Sequence, residues 1–253
     1  MTTIPMPPRA VALRPLALPA EHGGWGFVLE PIALGLLVAP SWSGVLIAVA
    51  SLCTFLARQP LKLALQDLVR ARRYPRTRVC WQLAFGYLLA GALALTAALT
   101  LSHLRMLIPL GLVMPLALTQ VLHDAHGRGR ELFPELCGAT AMTSIAAAIA
   151  LAGGVRLVPA LTLSAILIAR TLPAILYVRA VLGKMPAWPA IALHFVALAA
   201  GLLSRWVALT MLVLLARALW GLTHPRPPAK TVGWREIAFG AMTVLGSAGV
   251  LAG

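Results

Sequence analysis

Acidic side chains are scarce: Asp and Glu number 7 in 253 residues against 21 Lys and Arg, and charged residues of either sign make up 11%. That leaves too little polar surface to coat a soluble globule. Cysteine is scarce as well. Cys53, Cys80 and Cys137 lie far apart with no paired spacing, which argues against a disulfide framework or a thiolate metal site. The sequence lacks GxSxG, a P-loop, GxGxxG and CxxC, so nucleotide or acyl chemistry of the soluble kind has no support. No apolar core ending in a cleavage site precedes the first long apolar run, and residues 1–20 are expected to be retained as a cytoplasmic tail. The net charge of +14 would suit nucleic acid, but the basic residues stand in short clusters between apolar runs, so no nucleic-acid partner is expected.

What the chain has in abundance is apolar surface. Hydrophobic residues make up 60% and mean hydropathy is +0.88. A membrane is the solvent such a chain needs, and crossing it takes roughly twenty apolar residues per helix, because each backbone amide must be hydrogen-bonded within its own segment. The expected fold is all-α, a single transmembrane helical domain over residues 1–253 in a bacterial-type inner membrane. Apolar runs and their breakers predict spans at 24–40, 42–57, 79–101, 104–122, 132–152, 157–178, 188–203, 205–222 and 236–252.

Positive loops stay on the cytoplasmic side. With the N-terminus inside, 17 of the 21 basic residues fall in or beside inner segments, Arg217 among them. Only Arg105, Arg156 and Arg205 fall outside, and Arg170 lies within a span. This asymmetry predicts nine spans with the C-terminus outside. Six acids, Glu21, Asp67, Asp124, Glu131, Glu135 and Glu236, lie in or beside the inner segments, and Glu30 lies a turn or two inside the first span. Whatever chemistry the protein does is therefore expected near one membrane face.

Four stretches carry candidate residues. LPAEHGGWGFVLEP places Glu21 and His22 at the start of the first span, Trp25 a turn on, and Glu30 deeper, just before Pro31. A carboxylate in hydrocarbon is expensive and is usually paired, protonated or functional. The plainer reading is a capped helix start with a tryptophan anchor. FLARQPLKLALQDLVRARRYPRTR sets Leu61, Leu65, Leu68 and Val69 against Arg58, Lys62, Asp67 and Arg70, as an interfacial amphipathic helix would, or a topology-fixing basic loop. LHDAHGRGRELFPELCGA is the densest polar stretch. Its His123, Asp124 and His126 form only a weak metal pattern, and no metal is expected. Arg128 or Arg130 can instead recognise a carboxylate or phosphate bidentately, beside Glu131 and Glu135. IARTLPAILYVRA puts Arg170 in a span, with Arg179 at its inner end; Arg170 should face the bundle and take Glu30 or Glu135 as partner.

These pieces resemble the YwiC-like family of bacterial integral membrane proteins. The match lies in PAEHGGWGFVLEP, LARQPLKL, GRGRELFPELCGA, RTLPAILYVRA and AKTVGWREIAFG, in that order along the chain. The resemblance implies an integral membrane protein without an assigned activity. A more remote resemblance is to UbiA-type intramembrane prenyltransferases, through GRGRELFPELCG before the fifth span and through the loops after spans two and six. It implies nine helices around a cytoplasmic-side pocket. The sequence departs from that family's Asp-rich Mg-diphosphate motifs: the first loop has only Asp67, and the second has Arg179 and Lys184 with no acid.

The reading this supports is a UbiA-like bundle whose cytoplasmic-facing pocket binds an anionic lipid or isoprenoid phosphate. Arg58, Lys62, Arg128, Arg130 and Arg179 would supply positive charge, and Glu30, Glu131 and Glu135 proton or ion-pair partners. No cofactor is assigned. A small-solute or ion transporter is the competing class, opposed by the absence of a two-half hydropathy repeat and of acids across the membrane. A membrane assembly factor without chemistry is the third.

Overall fold

A computed structural model describes residues 13–18, 22–72 and 74–249, with the backbone alone at 22 and 23. Among them all regular structure is helical. The helices are α1 Arg14–Ala17, α2 His22–Val38, α3 Trp42–Val69, α4 Pro75–Leu101, α5 Leu107–Leu112, α6 Met114–Ala125, α7 Leu132–Ala152, α8 Leu157–Val181, α9 Trp188–Ala197, α10 Arg205–Thr223 and α11 Ala229–Ala248. Glu21 lies outside the described residues, as do the side chain of His22 and residue Gly253.

Among the described residues each of the nine predicted segments coincides for most of its length with helix, although only five helices, α3, α4, α7, α8 and α10, are by themselves long and apolar enough to cross a membrane. The 3-10 turn at Leu104–Met106, α5 and α6 together make a sixth candidate, bent by 51°. The chain is an integral membrane protein of helical type. Several predicted boundaries shift. The stretch after residue 57, read as an interfacial helix or a topology-fixing basic loop, is a helical continuation of α3, which at 28 residues is about 42 Å long and outruns a hydrocarbon core of about 30 Å. The start of the last predicted span moves back from 236 to Ala229, because Pro228 provides the N-cap and the charged AKTVGWRE stretch is helical.

The core sits around α7, which packs on α2, α3, α5, α6 and α8. Its run Ser144–Leu151, half of it alanine, is buried throughout. Without a hydrophobic drive between helices in lipid, small residues let backbones approach and gain dispersion. Gly35 of α2 shows how close: a Cβ there would stand 2.8 Å from the Ile149 Cβ. By contrast α4 turns Phe85, Leu89 and Leu93 outward, an apolar surface suited to acyl chains.

The bundle has two chemically different ends. At one, Ser43 and Ser102 both donate their hydroxyls to the carbonyl of Ala152, at 3.1 and 3.3 Å. At the other, the basic segments meet, and Arg226 lies over Gly183, a glycine that turns the chain at φ +73°.

Candidate functional site

The nominated residues fall into separate charge pairs at and below the basic end. Arg58 of α3 donates from Nε to Asp124 Oδ2 at 2.8 Å and from Nη2 to Oδ1 at 3.3 Å, while Lys62 stands 3.9 Å from the same carboxylate. Gln66 donates to the Asp124 carbonyl at 2.8 Å, so α3 and α6 are locked together here. Arg179 at the end of α8 donates to Glu135 Oε2 from both Nε (2.8 Å) and Nη2 (2.5 Å), and to the carbonyl of Arg130 at 2.6 Å. Arg128 meets Glu131 within its own exposed turn, at 2.7 and 3.0 Å. That hydrogen bond holds the Glu131 carboxyl below the usual carboxylate range. His123 and His126 turn Nδ1 to the carbonyls of Thr119 and Leu122, one helical turn back. Among the described residues no group of three or more His, Cys, Asp or Glu is placed to hold a metal.

Deeper in the bundle lies a different arrangement. Arg170 Nη2 is 3.2 Å from Glu30 Oε1, 3.9 Å from Glu236 Oε2, and donates to the Glu236 carbonyl at 2.6 Å. Glu236 in turn meets Arg217: Nη1 and Oε1 approach to 3.0 Å as an ion pair without an aligned hydrogen bond, and Nη2 donates to Oε2 at 3.4 Å. Side-chain exposure is 9% for Glu30, 2% for Arg170, 12% for Glu236 and 9% for Arg217. Four helices contribute one charge each, because an ionisable group inside a span is tolerable only when it faces the bundle and finds a partner. Gly240 makes room: a Cβ there would fall on the Glu30 carboxylate.

Of this quartet, sequence reasoning singled out Glu30 and Arg170 and missed the other half. Arg217 was counted with the inner segments, yet it lies within α10 with its guanidinium 4.0 Å over the Tyr177 ring and 5.1 Å from Phe239. Its signal was available, since it falls inside the apolar run 205–222 as Arg170 does in 157–178. Glu135 was the other expected partner for Arg170, and it pairs with Arg179 instead.

A cavity of about 560 Å³ opens beside the quartet between α8, α10 and α11. Arg217 and Glu236 line its inner part, and exposed Arg235 is also in its lining. Tyr177, Trp220, Val232 and Phe239 provide the apolar wall. None of the candidate residues nominated from the sequence lines it. Arg217 Nε is buried there without a hydrogen-bond acceptor. A depression of about 430 Å³ around Trp42 and Pro40, at the opposite end, has no charged lining.

The family model for YwiC-like protein matches residues 18–150, which is more than half of the chain. The chain belongs to the YwiC-like family. In this YwiC-like protein the matched region holds Glu30 and the Arg58–Asp124 lock, whereas Arg170, Arg217 and Glu236 lie beyond it. No curated protein and no solved structure matches the chain.

Proposed function

We propose that this YwiC-like protein is a nine-span protein of the bacterial inner membrane, N-terminus in and C-terminus out, that binds an anionic amphiphile in the α8–α10–α11 cavity. The ligand class is a phosphate or carboxylate headgroup on an apolar tail, such as an isoprenoid phosphate or an anionic lipid. The observation that carries the reading is Arg217, a buried guanidinium with an unsatisfied N–H at an otherwise largely apolar cavity. Guanidinium binds such headgroups through charge-assisted hydrogen bonds, and Tyr177, Trp220 and Phe239 suit the tail. About 560 Å³ is within the range of small-molecule sites, roughly 300–1,000 Å³. The basic residues nominated from the sequence enter as lock residues rather than as the headgroup contact, because Arg58, Lys62, Arg128 and Arg179 face acids of this chain and, unlike Arg217, none of these four has a buried N–H without an acceptor.

Helices at all nine predicted positions and the 17-to-3 charge asymmetry support the topology, and with it a UbiA-like arrangement as part of the proposal. The test is binding of farnesyl phosphate, short-chain phosphatidic acid and inorganic phosphate to the detergent-purified chain. Either amphiphile should bind more tightly than inorganic phosphate, and whichever of the two binds better identifies the source of the headgroup. Arg217→Gln should weaken that ligand by about ten- to a hundredfold, the worth of a charge-assisted hydrogen bond. Equal affinity of Arg217→Gln and the native protein would refute the site.

A further inference from the structure

The buried quartet is electrically balanced when all four groups are ionised: Arg170 and Arg217 against Glu30 and Glu236. An anion settling on Arg217 brings a third negative charge into a region with little water, where unpaired charge is costly. One carboxylate gaining a proton restores the balance. The two acids are not equally placed to do so. Glu236 has a guanidinium on either side, Arg217 at 3.0 Å and Arg170 at 3.9 Å, two countercharges to offset its burial. Glu30 has a single guanidinium, Arg170 at 3.2 Å, and its Oε2 is buried with no hydrogen-bond partner.

Among the described residues the groups facing Glu30 are few. From α8 it meets Arg170, and from α11 it has Glu236 nearby and Gly240 in contact. Where α3 and α7 pack on α2 they bring Phe55, Ala146 and Ile149, none of which titrates. Resting on the anion-binding reading above and deepening it, we infer that an anion enters the α8–α10–α11 cavity together with one proton, and that Glu30 receives the proton. A hydronium ion of the solvent gives up one O–H bond and is left as water, while the Glu30 carboxylate forms one and becomes a neutral carboxyl. Arg170 then serves Glu236 alone, and Arg217 is released toward the ligand. The site is thus a proton-linked anion site, with the proton and the anion held on opposite sides of the Arg170–Glu236 pair.

The test uses the full chain in a non-ionic detergent and hexanesulfonate, an anionic amphiphile that carries no titratable proton of its own at working pH. Affinity should rise about tenfold per unit fall in pH across the Glu30 titration, as linkage of one proton requires. Calorimetry in buffers of different ionisation heat should count one proton taken up per anion. Glu30→Gln should bind at neutral pH with the affinity that the native protein reaches only in acid, and with no proton uptake. A pH-independent affinity without proton uptake in the native protein overturns the linkage and leaves the anion-binding reading standing. An unchanged pH slope in Glu30→Gln overturns the assignment to Glu30. No binding of hexanesulfonate to the native protein at any pH brings down the anion-binding reading and the linkage with it. Should Glu30→Gln fail to fold, the proton count on the native protein decides, one supporting the linkage and zero refuting it.

Discussion

Replacing Arg170 by Met should be the most damaging single change in the bundle interior, and its cost should depend on Glu30. Arg170 is 2% exposed, donates to the Glu236 carbonyl at 2.6 Å, and is the cation beside Glu30 at 3.2 Å. Its loss strands Glu30, whereas Glu236 keeps Arg217. Removing one partner of a buried pair costs about 3–5 kcal/mol, because the other charge stays behind. Glu30→Gln is milder, about 1–3 kcal/mol, since Arg170 retains Glu236 and an amide oxygen can still accept. The double variant Glu30→Gln/Arg170→Met no longer holds a stranded carboxylate, so its loss should fall short of the summed singles by about 1–3 kcal/mol. Unfolding of the three variants in detergent at neutral pH reads this out. A second signature is pH: a stranded Glu30 is relieved by protonation, so the penalty of Arg170→Met should shrink in acid, while that of the double variant should not. Additivity within about 0.5 kcal/mol would refute the coupling.

Three further outcomes follow from the same geometry. A reporter fused after Arg78 or Arg130 should be cytoplasmic and one fused at Gly253 periplasmic; a cytoplasmic C-terminus would remove a span. Gly240→Ala should destabilise the protein by about 1–3 kcal/mol, as overpacking does, because the new methyl falls on the Glu30 carboxylate, and Glu30→Ala in the same chain should relieve part of that loss. Chelation with EDTA should leave ligand binding intact, because Asp67 is held by Arg76 (3.1 Å) and Thr77 (2.7 Å), and Asp124 by Arg58 and Lys62. Loss of binding on chelation, restored by Mg, would mean that these aspartates leave their partners for a cation.

The helices were legible because hydrocarbon imposes a length and a composition that a linear sequence displays directly. Pro40 with Ser41, and Ser204 with Arg205, mark real ends: Ser41 accepts from the Gly44 amide at 3.0 Å, and Ser204 from the Trp206 amide at 3.2 Å. The errors came where charge was read as loop. Arg58 to Val69 continues α3, since a helix that leaves the hydrocarbon has no reason to stop there. Lys230 to Glu236 belongs to α11 for the same reason, with Lys230 and Arg235 exposed and Glu236 turned inward to Arg217.

Pairing was legible only in part. Arg170 announced itself by its depth, and the cost of a lone guanidinium there demanded a carboxylate. Which carboxylate depended on helix neighbours that no local pattern encodes. Arg179, one end of α8, takes Glu135 from α7, while Arg170 reaches α2 and α11. Arg217 escaped notice because a residue five positions from the end of an apolar run reads as belonging to the next loop. A long side chain can equally turn back into the bundle, as this one does over Tyr177.

The central claim, an anionic amphiphile held by Arg217, is tested most directly by native mass spectrometry of the detergent-extracted protein and of its Arg217→Gln variant. One anionic amphiphile should remain with the native chain and be lost from the variant. Retention of the same ligand by Arg217→Gln, or copurification of only neutral and zwitterionic lipids with the native protein, would contradict it.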